Sequence, residues 1–343
     1  MKNFALIIDG IGTDDVSSYY TKKGKTYKLD TNEEYTPENP LAALNSECLI
    51  STYNYPHLFD VGYFINWKDF KNKDLPDLDL DLIFVVRERS LARTDGFWDG
   101  WCEVKNLRAK YSKAKIVGFI KEIWVGPPYD YNHPKHLARI NFLNECDAVV
   151  HSRPELKEYQ NIKDNVNIPF NFIGQPHNID YFYDNFGKDK DLAIWVYTPN
   201  RFHSKGKTLE FAQYISKKYN IPLKYKPIDT GNSNFYIPLE DFIKQWSSCI
   251  FHFNLDPVDY LPGKQAVHCA STGTINIGGL NDNHKLLFPK TATNDCDILE
   301  KEIIECINDP EYRNQIIQYA WNKVNEIFSF EEVKKQINDI KYK

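Results

Sequence analysis

The sequence predicts an α/β protein made of two doubly wound halves, and three observations carry that prediction. Short continuous apolar runs alternate with longer amphipathic stretches, the mark of strands covered on both faces by helices. The alternation stops at a polar stretch near 172–190 and then starts again. The C-terminal part, from 297 onward, carries helical spacing throughout.

In order, FALIID (4–9) reads as the first buried strand, ECLISTYN (47–54) as another and LDLIFVVRE (80–88) as the clearest. A helix over 102–114 leads to a strand KIVGFIKEIW (115–124), and a helix over 133–146 leads to a strand DAVVHSR (147–153). In the second half AIWVYT (193–198) is a strand, a helix starts at Thr208, and PLKYKPI (222–228) is the next strand. Then come a helix at 239–248, a strand at 249–255, a helix at 264–271 and a strand at 274–279. The expected domains are an acceptor domain at 1–172, a donor domain at 173–325, and a C-terminal helix at 326–343 that returns to the first domain, with a ligand cleft between the two domains.

Composition narrows the function classes. The seven cysteines are scattered and odd in number, with no CxxC pair, which excludes a disulfide framework and a cysteine zinc site. The first apolar run reaches Asp9 after five residues, too short for a leader, and no later run approaches membrane length. A cytoplasmic protein with no membrane span is expected. The formal net charge is −5, so contact with a polyanion needs a local basic patch. KNLRAKYSKAK (105–115) is the strongest, and RERSLAR (87–93) could add to it.

Three stretches could carry chemistry. NRFHSKGK (200–207) lies between a strand and a helix, where parallel sheets bind ligands. Arg201 and Lys205 supply cations, Gly206 allows close backbone approach, and the following helix start favours an anion such as a diphosphate. A solvated basic loop is the competing reading. PGKQAVHCASTGTINIGG (262–279) projects Lys264, Gln265 and His268 from a helix start, or is an ordinary tight turn. Glu122 follows a strand and could be a general base, or half of an exposed Lys121–Glu122 pair. Two other patterns are rejected. DGIGTDD (9–15) lacks the third glycine of a dinucleotide loop and sets Asp14 and Asp15 where a pyrophosphate would be repelled. DLDLDL (77–82) precedes its strand instead of following it, so no metal site is read there, and none elsewhere.

Taken together, these residues resemble the GT-B glycosyltransferases. PHNID (176–180) is similar to the boundary turn of family 4-like members, RFHSKG to their diphosphate-holding Arg and Lys-Gly, and HCASTGTINI to their Glu-containing donor unit. His268 stands where that Glu is expected, and Tyr260 where its partner Glu is expected. The spacing of Arg201 and Lys205, the IPLEDF segment at Ile237 and the acidic end of KIVGFIKEIW also resemble the phage DNA β-glucosyltransferases over most of residues 80–325. The resemblance implies a nucleotide-sugar donor, expected to be UDP-linked, held by Arg201, Lys205, Gly206, Ile237, Lys264, Gln265 and His268. It implies Glu122 as catalytic base and no obligatory cofactor, although a divalent metal could stimulate. The implied acceptor is a hydroxymethylated base in phage-type duplex DNA, in the host cytoplasm. A glycan or lipid-linked acceptor, a non-catalytic nucleotide-sugar-binding protein and an NAD-dependent oxidoreductase are the alternatives.

Overall fold

The computed structural model describes residues 3–8, 17–34, 54–66, 69, 74–86, 103–120, 134–153, 160–196, 205–225, 239–255 and 264–343. The chain divides into two compact units, residues 1–176 with 333–343, and residues 177–332.

The first unit is built on an eight-stranded sheet. Its strands are β1 (Asn3–Ile8), β2 (Tyr19–Lys22), β3 (Lys25–Lys28), β4 (Val61–Asn66), β5 (Leu82–Val86), β6 (Lys115–Ile120), β7 (Ala148–His151) and β8 (Phe170–Phe172), in the order β3-β2-β4-β1-β5-β6-β7-β8. From β4 to β8 all pairs are parallel, and β2 and β3 add an antiparallel hairpin at one edge. Lys23 and Gly24 turn the hairpin with φ of 51° and 77°, the left-handed pair that matches the twist of the flanking strands. Between strands run α1 (Val104–Lys110), α2 (Pro134–Glu145) and α3 (Gln160–Asn165).

β1 and β5 are buried along almost their whole length because apolar side chains point from both faces. One face packs an aliphatic core of Ile7, Ile83, Val85, Leu107, Ile116 and Leu143. The other is aromatic: Phe4 stacks on Phe59 at 4.5 Å, and Tyr55 meets Phe84 and Phe119 edge-on. The C-terminal residues join this unit. Gln336 Oε1 accepts from Gly174 N at 2.8 Å, and Lys343 N donates to Asp147 O at 2.8 Å.

The second unit opens with α4 (Ile179–Phe186), capped by Asn178, which accepts from Tyr181 N. A four-stranded parallel sheet follows: β9 (Asp191–Val196), β10 (Leu223–Tyr225), β11 (Cys249–Phe253) and β12 (Ile275–Ile277), in the order β10-β9-β11-β12. Its helices are α5 (Lys205–Tyr219), α6 (Leu239–Ser247), α7 (Lys264–Thr272), α8 (Asp282–Leu287), α9 (Cys296–Asn308) and α10 (Pro310–Phe328). The last helix, α11 (Phe330–Asn338), starts in this unit and ends in the first.

α7 is the hub, packing on α4, α8 and α10. It can do so because its buried positions Ala266, Cys269, Ala270 and Ser271 are small. Gly273, with φ of 70°, closes it: Thr274 N donates to Cys269 O at 2.9 Å across that turn. Asp295 and Asp309 cap α9 and α10, and Pro310 opens α10.

Candidate functional site

In the second unit the chain leaves β9 toward β10 on one side and later returns to β11 on the other. This reversal makes the carboxyl ends of β9 and β11 a topological switch point, the place where open parallel sheets bind ligands. In the chain, Arg201 follows β9 and residues 256–263 follow β11. Arg201 and Ile237, like Glu122 of the first unit, lie outside the described residues.

What is described at these strand ends is a convergence of two helix starts. Lys205 and Gly206 are the first two residues of α5, and Lys264 and Gln265 the first two of α7. The end of β11 ties them together. Leu255 N donates to Thr208 Oγ1 in the first turn of α5 at 3.1 Å, and Asn254 Nδ2 donates to Gln265 Oε1 at 2.6 Å. Unpaired N–H groups and the positive end of the dipole favour an anion at each helix start.

The floor of this edge is glycine. Gly278 and Gly279 follow β12 with φ of 85° and 97°. A Cβ on Gly278 would stand 2.8 Å from Leu255 Cδ1, and one on Gly279 would stand 3.1 Å from Asn254 O. Only glycine lets the end of β12 lie this close to β11, where Asn254 N donates to Ile277 O at 2.9 Å.

His268 sits one turn into α7, half-buried. Its ring stacks on His177 and on Phe182, each at 5.1 Å, and lies 6.4 Å from Trp246. Burial, and then the nearby Lys264 charge, hold His177 neutral by lowering its pKa to about 3. Beneath the edge, Asn276 joins two more buried imidazoles: its Oδ1 lies 3.2 Å from His252 Nδ1, and its backbone O lies 3.1 Å from His284 Nε2. Burial lowers these to about 4 and about 3. Lys190 is at the opposite, amino edge, donating to Ser247 O and Thr274 Oγ1 at 2.6 and 2.9 Å, with burial lowering its pKa to about 8.

The first unit also gathers buried polar groups at its carboxyl edge, just past β7. Ser152 and Arg153 are 0% and 2% exposed, and Gln175 Nε2 donates to Ser152 Oγ at 3.3 Å. Glu122 follows the end of the neighbouring β6 by two residues in the chain. Three of the five cations in the basic stretch 105–115 are paired with local acids. Lys105 pairs with Glu103 at 2.8 Å, Arg108 with Asp147 at 3.0 Å, and Lys110 with Asp77. The other basic stretch, 87–93, lies outside the described residues, as do residues 9–15.

Sequence reading gave no site role to Thr208, Asn254, Gly278–Gly279, Ser152 or Arg153, and it started at Thr208 a helix that begins at Lys205. For Asn254 and the glycine pair a signal existed: each directly follows an apolar run that ends a strand. Among the described residues no group of three or more His, Cys, Asp or Glu side chains could hold a metal ion, and no helix is long and apolar enough to cross a membrane.

Two units with central parallel sheets, α/β throughout and closed by C-terminal helices, define a GT-B fold. Solved structures share it, two of them along essentially the whole chain. Alr3699/HepE of Anabaena, solved in complex with UDP, superposes with a TM-score of 0.54 at 10% identity, covering 99% of each chain. The E. coli trehalose-6-phosphate structure bound with UDP-2-fluoro glucose reaches 0.58 at 10% identity, covering 100% of each. Trehalose-6-phosphate synthase OtsA reaches 0.56 at 9% identity, covering 78% of this chain and 74% of that one. No protein-family profile matches the sequence. No curated protein matches it either.

Proposed function

We propose that this chain is a glycosyltransferase that moves a sugar from a nucleotide-sugar, UDP-linked, to an acceptor hydroxyl. The observation that carries the reading is the pair of helix starts, α5 and α7, tied to one strand end at the switch point of the second sheet. The UDP and UDP-sugar ligands of the structures that share the fold support it.

Arg201 and Lys205 would meet the diphosphate, with Gly206 admitting it to the backbone and Lys264 and Gln265 adding contacts from α7. The diphosphate gains charge as the glycosyl bond breaks, so cations there bind the transition state more tightly than the ground state. Ile237 would face the base, and His268 the ribose. The His268 ring is already braced by His177 and Phe182, which suits a fixed edge. Glu122 would take the proton of the attacking hydroxyl, giving inversion. With cations at the leaving group, a divalent metal is not needed, though it could stimulate.

For the acceptor, the ion pairs on Lys105, Arg108 and Lys110 favour a glycan, free or lipid-linked, because a DNA-binding face needs cations available for phosphates. A hydroxymethylated base in duplex DNA is the second reading, favoured by the spacing of Arg201, Lys205 and Glu122.

Radiolabelled UDP-glucose and a small set of other UDP-sugars, offered with oligosaccharides or with hydroxymethyl-containing duplex, test this. Label should pass to an acceptor, and Arg201→Ala should abolish transfer without lowering the thermal midpoint. Transfer to duplex with a steep salt dependence would select DNA. UDP-sugar binding with neither hydrolysis nor transfer in any arm would leave a binding protein.

A further inference from the structure

Three tyrosines form a row across the edge of the first sheet. Tyr20 of β2 lies directly opposite Tyr27 of β3 and Tyr63 of β4, so all three share one face. Their neighbours Tyr19 and Thr21 turn to the other face, where Tyr19 is fully buried and stacks on Phe64 at 5.0 Å. The Tyr20 ring stacks on Tyr27 at 5.0 Å and 17°, and lies 6.0 Å from Tyr63. Unlike Tyr19, each tyrosine of this row is only partly buried, with Tyr63 packing in part against the aliphatic core.

Polar groups continue the strip. Glu34 bridges to Tyr27 and extends the row by one place. Two residues along the strands, Lys22 and Lys25 lie opposite one another on the same face, and Lys25 Nζ pairs with Glu34 at 2.9 Å.

We propose that this strip is a platform for a carbohydrate chain, the acceptor of the transfer reaction. The inference rests on the glycosyltransferase reading and names the acceptor class. Phenol rings present an apolar surface with a polar tip, which fits the C–H face of a pyranose and its rim of hydroxyls. Lys22, Lys25 and Glu34 supply charged donors and acceptors for those hydroxyls. Glu34 holds Lys25, which leaves Lys22 as the one of the three outside this ion pair. A single-stranded nucleic acid would need several cations spaced along its backbone beside the stacking rings, and this strip offers a single net positive charge. The placement suits an extended acceptor. Tyr63 is three residues from the carboxyl end of β4 at Asn66, about 10 Å at the rise of a strand. A chain lying on the strip could therefore offer its end at the carboxyl edge of the sheet.

The test uses the full chain without donor, on an array of immobilised oligosaccharides, with poly(dT) and hydroxymethylated duplex as nucleic-acid arms. At least one oligosaccharide class should be retained. Tyr20→Ala and Tyr27→Ala should each weaken its binding about tenfold or more, while Tyr27→Phe keeps it. In the wild-type protein, ring-proton signals of Tyr20 and Tyr27 should shift on titration with the retained sugar, which decides the matter even where an alanine variant folds poorly. No retained oligosaccharide, unchanged binding in the alanine variants with unshifted tyrosine signals, or binding confined to a nucleic-acid arm overturns the platform. UDP-sugar turnover is scored separately. Glycan binding at the tyrosines without turnover would sink the transfer reading and leave the platform standing. Transfer to a glycan that ignores the tyrosines would sink the platform alone.

Discussion

Lys264 is where the second unit places a cation at a helix start beside a histidine that burial already keeps neutral. A charge in that position helps a diphosphate in two ways, as a direct donor and by adding to the positive end of α7. Lys264→Ala is expected to weaken UDP binding about tenfold, the loss of roughly 1.4 kcal/mol that one charge-assisted hydrogen bond supplies. Isothermal titration with UDP checks it, and an unchanged Kd would remove Lys264 from the donor contacts. Glu122 is the residue proposed for the other half of the chemistry. Glu122→Gln keeps shape and removes the base, so kcat should fall about 100-fold or more while the Kd for UDP stays at the wild-type level. Equal turnover in both proteins would make Glu122 an ordinary surface carboxylate.

Among elements, the apolar runs announced all four strands of the second sheet and four of the eight in the first, β1, β5, β6 and β7, and helical spacing announced the C-terminal helices. Those signals are local, which is why they could be read. The hairpin at 19–28 was not anticipated, although Lys23–Gly24 between alternating residues is a turn signal; its lysines masked the alternation. Nor was α4, whose residues 179–186 sit in a stretch that reads as polar and whose apolar face is explained only by its packing on α7. At the candidate site, Lys264 and Gln265 were legible from a helix start after a strand. The link from Asn254 to Gln265 was not, because a contact between the end of β11 and α7 depends on where the two elements meet. The glycine pair after β12 gives this level its own prediction. Gly278→Ala puts a methyl group 2.8 Å from Leu255 in a left-handed backbone, so it should cost about 2 kcal/mol or more. It should also weaken UDP binding by pushing the end of β12 away from β11. Urea unfolding and UDP titration of the variant measure both effects, and a variant as stable as wild type would show that the two strand ends are not in close contact.

Across the molecule, buried histidines set the response to acid. His177, His252 and His284 in the second unit have pKa values lowered to about 3, 4 and 3, and His151 in the first to about 4, in each case chiefly by burial. His57 is lowered to about 4 by burial as well. The unfolded chain takes up these protons near the ordinary value of 6.5, and the folded chain takes them up only at 3 to 4. Stability is therefore complete above about pH 6.5 and declines as the pH falls below it. At pH 5 each such histidine costs about 2 kcal/mol. The three in the second unit then cost on the order of 6 kcal/mol together, a large share of the 5–15 kcal/mol that holds an ordinary domain. The second unit, where His252 and His284 meet at Asn276 and His177 packs on His268 of α7, should lose hydrogen-exchange protection in β11, α7 and β12 between pH 6.5 and 5. His284→Gln tests the cause, because glutamine can still donate toward Asn276 O but does not titrate. Urea midpoints measured from pH 7.5 to 5 should fall less steeply in that variant, by the slope of one proton. Parallel curves for the two proteins would mean that His284 is not held neutral, and the acid response would have to come from carboxylates instead.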